Sequence, residues 1–418
     1  MRVLLYSEEV FFLRVVFYLL LSIAYMLASG FRLSAGVVYP DLSVQLGMSA
    51  GMAGFTASLL FYAYALMQPV SGIVNSHFGP AKISAVGLFV AALGMMLMAH
   101  VSSVPQLALS RLLCGLGLAP IFSGLILYTL FAFPLKWQPI LMGINFGLGH
   151  IGSMCSAAPL GYALDRWGMT MVFWGFALFS LFLVGMFLFL SSFDPVARDT
   201  AAKGTRISPR AIYLDCIKGF HMVVKSPGRL TVTIQWGVFS AALLSLQGLW
   251  GIPWAQQALL ASEATARNWT VFLSVGALIG TSCAGRVCLW VAHNPNRLIW
   301  VLGANAVGWT AYWGAMYASL PLVPLMNVAL GAVTGVGLVV TSHALTRLTP
   351  KDDVGIVFGM ANMFVFLLIT LCQWGTGVIL DFFPSSTGSM PTLLGFQAAY
   401  AAVILVMGAS FIRWKRIR

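Results

Sequence analysis

Three arginines, Arg32, Arg111 and Arg286, lie inside long apolar runs, and the first of them, Arg32, is the residue best suited to bind an anion. Arg32 lies eighteen residues after Arg14 and nine before Asp41, so a helix would carry it roughly 27 Å beyond Arg14. A charge that deep in an apolar layer costs at least ~2.5 kcal/mol unless it faces water or a protein interior. Its guanidinium offers five donors in a planar fork that matches a carboxylate or a phosphate. We predict an anion site at Arg32; the alternative is a side chain that reaches the outer interface or Asp41.

The second arginine, Arg111, lies near the start of a later apolar run, on the same predicted side as Arg32. The two guanidinium groups together would supply two positive charges to one outer vestibule. The alternative is a structural role, in which Arg111 donates hydrogen bonds to carbonyl groups of a neighbouring helix.

Other polar side chains within apolar runs are candidates for orienting a ligand: Asn145, His150, Gln247, Trp250 and Asn362. An imidazole titrates near neutral pH, so His150 could carry a proton or donate to an anion, or it could be a packed, hydrogen-bonded histidine. Each amide side chain is also suited to a helix-to-helix hydrogen bond worth about 0.6 kcal/mol. Trp250 either lines a cavity or joins an aromatic belt at a membrane interface.

Carboxylates are absent from the centres of the apolar runs. Asp41, Asp165, Glu263 and Asp381 all lie at the ends of runs. A buried carboxylate with a shifted pKa is the usual proton carrier inside a membrane. The sequence therefore gives no support to proton coupling.

The composition accounts for these runs. Of the 418 residues, 60% are hydrophobic and only 8% are charged, and the mean hydropathy is +0.91; a soluble protein carries roughly 25% charged residues. These values exclude a soluble globular chain and a disordered one. Long apolar runs, rather than short alternating strands, predict an all-α polytopic membrane protein. The net charge of +12 lies in connectors and the tail rather than on one helix face, so we expect no nucleic-acid partner.

The apolar runs, cut at polar clusters and at Pro/Gly punctuation, predict twelve transmembrane helices. Their expected ranges are 13–37, 51–74, 83–101, 105–132, 139–163, 169–192, 229–254, 268–290, 298–319, 322–346, 355–380 and 392–412. A polar connector, 193–228, separates an N-terminal six-helix bundle, 1–192, from a C-terminal one, 229–418.

The basic residues predict the orientation of these spans. With the N-terminus inside, most of the 23 lysines and arginines fall on the inner side, while the outer side takes only Arg166 and Arg267. We expect a multi-pass protein of the plasma (cell inner) membrane with both termini in the cytoplasm, surrounded by membrane lipids and monomeric. No P-loop, H-E-x-x-H or G-x-S-x-G motif is present, so we expect no enzyme, no catalytic residues, no metal and no cofactor.

The two halves of the sequence resemble each other at an offset of 216 residues. This offset relates four pairs of identical residues: Gly115 and Gly331, Gly143 and Gly359, Gly161 and Gly377, and Asp165 and Asp381. Parallel repeats with a substrate path between them are a known transporter plan. The series Gly149, Ser153, Ala157 and Gly161 has small-xxx-small spacing, which predicts a close contact between the two halves.

Three motifs give the chain a resemblance to the major facilitator superfamily over essentially its whole length. Gly72-Ile-Val-Asn-Ser76-His77-Phe-Gly79-Pro-Ala-Lys82 is similar to the family's loop motif G-x-x-x-D-R-x-G-x-R-R/K. Arg111-Leu-Leu-Cys-Gly115-Leu-Gly117 is similar to its R-x-x-x-G-x-G motif. Gly161-Tyr-Ala-Leu-Asp165-Arg-Trp-Gly168 resembles its G-x-x-x-D-x-x-G turn.

The resemblance implies the superfamily's fold, two pseudo-symmetric six-helix bundles, and gating by the motif residues. The first-span arginine and the segment from Phe61 to Gln68 most resemble the anion:cation symporter and organophosphate-permease branch. Its proton-coupled members place acidic residues where this chain has Phe31 and Leu118. Ser76 and His77 replace the family's Asp and Arg, so the inner lock formed by those residues should be weak or replaced.

These observations predict a secondary active or facilitative transporter that moves a small organic anion by alternating access. Two alternatives remain open at this point. One is an exporter of hydrophobic or zwitterionic compounds, and the other is a transport-dead ligand sensor of the same fold.

Overall fold

The structure is a computed structural model that describes residues 8–194, 196, 208–315, 322–350, 353–384 and 391–416. Almost all of these residues are helical. The helices in the first half of the chain are α1 (Glu8–Leu33), α2 (Ala35–Gln45), α3 (Ala50–Phe78), α4 (Pro80–Ala99), α5 (Val104–Ala132), α6 (Gln138–Cys155) and α7 (Ala158–Leu190).

The second half begins with a helix in the long polar connector and continues with the remaining apolar helices. These are α8 (Pro209–Val224), α9 (Pro227–Ser245), α10 (Gly251–Leu259), α11 (Glu263–His293), α12 (Leu298–Ala315), α13 (Val323–Arg347), α14 (Val354–Asp381) and α15 (Leu393–Arg416).

Ten helical stretches among the described residues are long and apolar enough to cross a membrane. The expected count of twelve is therefore not confirmed, although the all-helical membrane architecture is. The fifth expected span, 139–163, is interrupted and leaves only a shorter apolar helix, Ile140–Cys155. The ninth, 298–319, is described only as far as Ala315.

Two expected spans are interrupted where the sequence shows uninterrupted apolar character. The first span breaks at Ser34 into α1 and α2, which places Arg32 in the last turn of α1. The fifth breaks at Ser156 and Ala157, and Pro159 then starts α7 in the first turn, where its missing N–H costs nothing. Within α7 the chain turns at Gly168, whose φ of 75° is readily adopted by glycine.

The seventh span contains a π-helical segment, Leu246–Trp250, between α9 and α10. Pro253 has no N–H to donate to the carbonyl of Leu249 four residues earlier, so a regular helix cannot continue here. Gly248 and Gly36 bring this segment against the α1–α2 break, because a Cβ on Gly36 would lie 3.2 Å from the Gln247 carbonyl oxygen.

Helices from the two halves of the sequence pack in two seams. One joins α3 to α14, and the other joins α6 to α11. We call the end of the bundle that carries α8, the start of α1 and the start of α14 the linker face. The opposite end, which carries Gly47, Gly168 and Leu260 in the connections between helices, is the distal face.

Candidate functional site

Arg32 lies half-buried at the α1–α2 break and keeps most of its donors free of protein partners. Its Nη2 donates to Ser29 Oγ at 3.2 Å, and its Cζ lies 5.5 Å from the centroid of the Tyr64 ring on α3. Among the described residues Arg32 has no ion pair, and the alternative contact with Asp41 is not formed. Its guanidinium is therefore a positive group with unoccupied donors between the helices.

Tyr64 connects Arg32 to the α3–α14 seam. Its ring lies 4.4 Å from that of Phe366, centroid to centroid. One turn further along α3, Gln68 accepts a hydrogen bond of 2.8 Å from the Asn362 side chain of α14. The predicted residues Arg32 and Asn362 are thus linked through two residues, Tyr64 and Gln68, from the segment that carried the branch resemblance.

His150 on α6 approaches the same group of residues. It is partly buried, and it lies close enough to Arg32 for that charge to act on its imidazole. We call Arg32, Tyr64, Gln68, His150 and Asn362 the Arg32 cluster. It contains one permanent cation, two amides, a phenol and an imidazole, which together suit a ligand that carries negative charge and hydrogen-bonding groups.

Arg111 does not join this cluster, and the expected vestibule with two arginines is not formed. The Arg111 side chain is fully buried, and its Cζ lies 5.8 Å from the Phe31 ring and 5.9 Å from the Tyr39 ring. Its Nη2 donates to the Ala57 carbonyl oxygen at 3.4 Å, while Nε and Nη1 have no partner. This arrangement matches the structural alternative, because aromatic rings and a carbonyl group enclose the charge.

Three further predicted residues form hydrogen bonds between helices and do not meet Arg32. Asn145 accepts from the Tyr18 hydroxyl at 2.8 Å and donates to Thr129 at 3.1 Å. Gln247 donates to Ser274. Trp250 donates from its indole nitrogen to Thr376 at 2.9 Å.

The α3–α14 seam is closed at the distal face by Asp381, the last residue of α14. Its Oδ2 accepts hydrogen bonds of 2.9 Å from the Ser49 hydroxyl and from the Gly51 backbone N–H. The first N–H groups of a helix are unpaired and carry partial positive charge, so the carboxylate stabilises the start of α3. Gly51 leaves room for this bond, because a Cβ at that position would displace the carboxylate.

A second carboxylate joins the ends of α7 and α11 at the same face. Arg267 Nη1 lies 2.6 Å from Asp165 Oδ2, and its Nη2 pairs with Glu263. The Arg267 side chain packs against Gly161, where a Cβ would lie 2.5 Å from Arg267 Cδ. We call Asp381 with Ser49 and Gly51, together with Asp165 and Arg267, the distal clasp.

The sequence did not identify the distal clasp as a unit. It placed Gly161 and Asp165 in a motif, and it related Asp165 to Asp381 by the 216-residue offset. Arg267 was only one of two outer bases. Two glycines of the small-residue series have different neighbours: Gly149 packs against Tyr25 of α1, in the same half, whereas Gly161 meets Arg267 of the opposite half.

A cavity of about 590 Å³ lies beside the distal clasp. Tyr39, Asp41, Trp250 and Glu263 line it together with Asp381 of the clasp. Trp250 therefore lines a cavity, as one interpretation of the sequence predicted, but it is this one rather than the Arg32 cluster.

The α3–α14 seam is tight near the distal face and looser near the linker face. A Cβ on Gly54 would lie 2.5 Å from the Gln373 carbonyl oxygen, whereas a Cβ on Gly359 would lie 3.4 Å from the Gln68 carbonyl oxygen. Near the linker-face end of α3, a Cβ on Gly72 would have no atom within 4 Å, and the same holds for Gly355 on α14. The two helices therefore diverge towards the linker face.

The loop-motif residues at this face make local contacts. The Ser76 hydroxyl donates to the Ile73 carbonyl oxygen at 2.8 Å, the His77 ring packs on Phe78, and Lys82 is exposed. Gly79 has a φ of 88° and joins α3 to α4. None of these described contacts crosses to the second half of the chain.

Two residues in or next to the motifs hold the first half together. Asn75, which the sequence did not single out, is fully buried and donates to the Ser71 and Pro120 carbonyl oxygens at 2.9 Å each. Gly115 lets α5 approach α3, because a Cβ there would lie 2.8 Å from that of Ala63. In the described part of the chain, no three His, Cys, Asp or Glu residues lie close enough together to hold a metal ion.

Together these features define a polytopic helical membrane protein whose two halves enclose a polar cluster and meet at one face. Residues 21–371 match the family model of the Major Facilitator Superfamily, and the chain belongs to this superfamily. It is therefore a membrane transporter by type and not an enzyme, and the resemblance seen in its motifs is confirmed.

Two curated proteins illustrate the relationship. The chain is 27% identical over 194 residues to "Probable anion transporter 6, chloroplastic" of Arabidopsis thaliana, a match that covers 45% of this chain and 35% of the relative. It is 29% identical over 150 residues to the MFS-type transporter YhhS of Escherichia coli K12, covering 33% and 37% respectively. The matches thus span about a third of the length of these relatives.

Solved structures match almost the whole chain. The nucleoside transporter NupG superposes with a TM-score of 0.74 at 15% identity, covering 96% of this chain and 99% of NupG. A bacterial homologue of the human lysosomal transporter Spinster, in an inward-facing and occupied conformation, gives a TM-score of 0.72 at 14% identity, covering 98% and 97%. Identities this low establish the shared fold alone.

Proposed function

We propose that this chain is a secondary active or facilitative transporter of a small organic anion, which binds at the Arg32 cluster. The observation that carries the proposal is Arg32 itself: a cation between the helices with unoccupied donors and, among the described residues, no carboxylate partner. A cation in such a place is stable when an anion completes its hydrogen bonds. Relatives named as anion transporters support the same substrate class.

The substrate class can be stated more narrowly from the two arginines. Arg111 is enclosed by Phe31, Tyr39 and Ala57, so it offers no charge to a ligand at Arg32. A single cation balances a single negative charge. Tyr64 and Phe366 supply apolar surface beside it, so a monocarboxylate with an apolar part fits the cluster better than a dianion.

Transport by alternating access fits the difference between the two faces. The closed distal clasp and the diverging ends of α3 and α14 correspond to a state open at the linker face. We propose that this face is cytoplasmic, that both termini lie there, and that the membrane is the plasma (cell inner) membrane. The moving bodies are then 1–192 and 229–418, joined by 193–228, and a monomer suffices because one chain supplies the whole cluster.

Uptake into proteoliposomes tests the proposal. The purified chain is reconstituted and given labelled monocarboxylates, dicarboxylates and organophosphates, with Arg32→Ala as the test variant. Arg286→Ala is the matched control, since Arg286 is exposed on α11 and lies outside the cluster. We expect uptake of a monocarboxylate that Arg32→Ala abolishes and Arg286→Ala retains; full uptake by Arg32→Ala would contradict the proposal.

The aromatic rings around Tyr64 favour one other candidate, an exporter of hydrophobic or zwitterionic compounds. Phe61 and Phe366 stack across the α3–α14 seam with ring centroids 6.1 Å apart, which gives the cluster an apolar side. Flux of apolar compounds alone, unaffected by Arg32→Ala, would favour export. Saturable binding of an anion without flux would favour a ligand sensor of the same fold.

A further inference from the structure

Helix α8, in the connector between the two halves, lies outside the bundle against the linker-face end of α14. Gly219 allows the close approach, because a Cβ there would lie 2.8 Å from Ile356 Cγ2 and 3.3 Å from Met360 Cβ. Lys218 Nζ forms an ion pair of 2.5 Å with Asp353, just before the start of α14. Val223 is fully buried in a small apolar cluster with residues of α9, α13 and α14. One face of α8 is thus fixed to the protein.

The face of α14 that α8 covers continues along the helix as an exposed apolar stripe. Ile356, Met360 and Phe364 are spaced four residues apart, and Leu371 and Val378 follow on the same face at seven-residue intervals. Leu371 and Val378 are exposed apolar residues in a span. An exposed apolar stripe on a spanning helix is the surface that meets lipid. Helix α8 therefore lies where the lipid-facing side of α14 ends.

A second face of α8 is apolar but exposed. Tyr213, Phe220 and Val224 share this face at seven- and four-residue spacing and are 64%, 43% and 37% exposed. The Phe220 ring lies 5.9 Å from that of Phe364, centroid to centroid. The exposed face of α8 is thus continuous with the lipid-facing surface of α14.

A basic row adjoins this apolar face. At 100° per residue, Arg210, His221 and Lys225 fall beside Tyr213 and Val224, and all three are exposed. One carboxylate of α8, Asp215, lies beyond Lys225 on the side away from Tyr213, and Asp353 is paired with Lys218. The three bases of the row thus outnumber the one nearby carboxylate that is not paired with Lys218. A short helix with an apolar face and an adjoining basic face is the type that lies in the headgroup layer of an acidic membrane.

We infer that α8 is a membrane-surface helix that binds acidic lipid headgroups through Arg210 and Lys225 while Tyr213 and Phe220 enter the apolar layer beside α14. The occupant is the anionic lipid of the bilayer around the protein, whose charge complements the basic row. Gly219 and Lys218 hold α8 to the start of α14. Binding of acidic lipid to α8 would therefore also restrict the motion of this end of α14. The inference does not depend on the transported substrate.

Amide hydrogen exchange of the full chain in nanodiscs tests this inference. The nanodiscs contain phosphatidylcholine alone or with about a third phosphatidylglycerol, and exchange is read by mass spectrometry in peptides covering α8. The attraction of each lysine or arginine to an anionic membrane surface is strong enough to slow amide exchange about five-fold. We expect phosphatidylglycerol to slow exchange in α8 by at least that factor at low salt. The effect should largely disappear near 1 M salt, where the screening length is only about 3 Å.

Two pairs of substitutions separate binding at α8 from a general charge effect. Arg210→Gln with Lys225→Gln should remove the dependence on phosphatidylglycerol. The matched control, Lys82→Gln with Arg347→Gln, removes two exposed bases from the linker face outside α8. In this control the dependence on phosphatidylglycerol should remain. Equal exchange of the unmodified chain in both lipids would overturn the inference without any variant. If both double variants lost the dependence on phosphatidylglycerol equally, the inference would also be overturned, since the slower exchange would then reflect the total charge of the linker face.

Discussion

Asp165 and Arg267 form an ion pair of 2.6 Å that joins α7, in the first half of the chain, to α11 in the second. Asp381, which the 216-residue offset relates to Asp165, joins α14 back to α3 in the first half. Each half thus contributes one carboxylate, at the end of the same Gly-x-x-x-Asp pattern, that bonds to the other half. Both bonds must break if the distal face is to open.

The bond from Asp381 to α3 should stabilise the closed distal face. Hydrogen bonds to a charged group contribute about 1.5–3 kcal/mol, so Asp381→Ala should raise the open fraction by about ten-fold or more. A cysteine introduced by Ala53→Cys reports this opening, because Ala53 lines the distal cavity and is only 3% exposed. The reaction of this cysteine with an impermeant maleimide is followed in nanodiscs by peptide mass spectrometry. Labelling should be about ten-fold faster or more when Asp381→Ala is also present.

Asp41→Ala is the control for that measurement. Asp41 lines the same cavity, and in the described part of the chain it forms no ion pair. The substitution removes the same charge without removing a bond between the halves, so labelling of Ala53→Cys should stay near its original rate. If both variants labelled equally fast, the loss of cavity charge, not the Asp381 bond, would be responsible.

Close packing of the α3–α14 seam should depend on Gly54. A Cβ at this position would lie 2.5 Å from the Gln373 carbonyl oxygen, a separation that backbone movement must relieve. Gly54→Ala should therefore destabilise the closed distal face by about 1–3 kcal/mol, as overpacking does elsewhere. Faster labelling of Ala53→Cys and a lower Tm in detergent are the expected results.

Gly72→Ala makes the same chemical change on the same helix in open space, since no atom lies within 4 Å of the added methyl group. Alanine is the better helix former by about 0.8–1.0 kcal/mol. The Tm should accordingly stay level or rise, and labelling should not change. A parallel fall in Tm for the two variants would mean that the seam near Gly54 is not specially tight.

The sequence predicted the membrane class, most of the spans and the equivalence of Asp165 and Asp381. Those features follow from hydropathy and from residue identities at a fixed offset, both of which are local properties of the chain. It did not predict the breaks at Ser34 and Ala157. The position of a break depends on the neighbouring helix, such as the π segment beside Gly36, and the apolar run itself does not indicate it.

Within the candidate site, too, some features could be predicted from the sequence and others could not. Arg32 could be singled out because its cost in an apolar layer is a property of one residue. The enclosure of Arg111 by Phe31 and Tyr39 depends on where α1, α2 and α5 meet, which spacing along the chain does not encode. The bond between Gln68 and Asn362 joins residues 294 positions apart, and neither partner reveals the other in sequence.

That bond gives a prediction about the centre of the α3–α14 seam. Gln68→Ala and Asn362→Ala each remove one side of a 2.8 Å hydrogen bond. Bonds of this kind in membrane proteins couple by about 0.6 kcal/mol on average and about 1.7 kcal/mol at most. Thermal denaturation of the two single variants and the double variant should give a coupling energy in that range. Strict additivity would show that the two amides act independently.

Substituting lysine at Arg32 and at Arg111 should separate the roles of the two arginines. Lysine keeps the positive charge but lacks the planar fork, so Arg32→Lys should weaken bidentate contact with an anion. We expect a higher KM for the transported monocarboxylate, with little change in Tm, because in the described part of the chain Arg32 forms no ion pair and is only half-buried.

Arg111→Lys should act in the opposite sense. The Arg111 guanidinium is fully buried, with its Cζ 5.8 Å from the Phe31 ring centroid and 5.9 Å from that of Tyr39, and desolvated cation–π contacts contribute about 2 kcal/mol. A lysine ammonium group is more strongly hydrated and lacks the planar fork, so the Tm should fall while the KM of the protein that remains folded stays close to its original value. Both quantities are measured on the same preparations, by thermal denaturation in detergent and by uptake into proteoliposomes. A raised KM with an unchanged Tm for Arg111→Lys would place Arg111 in contact with the substrate and would contradict its enclosure by the two rings.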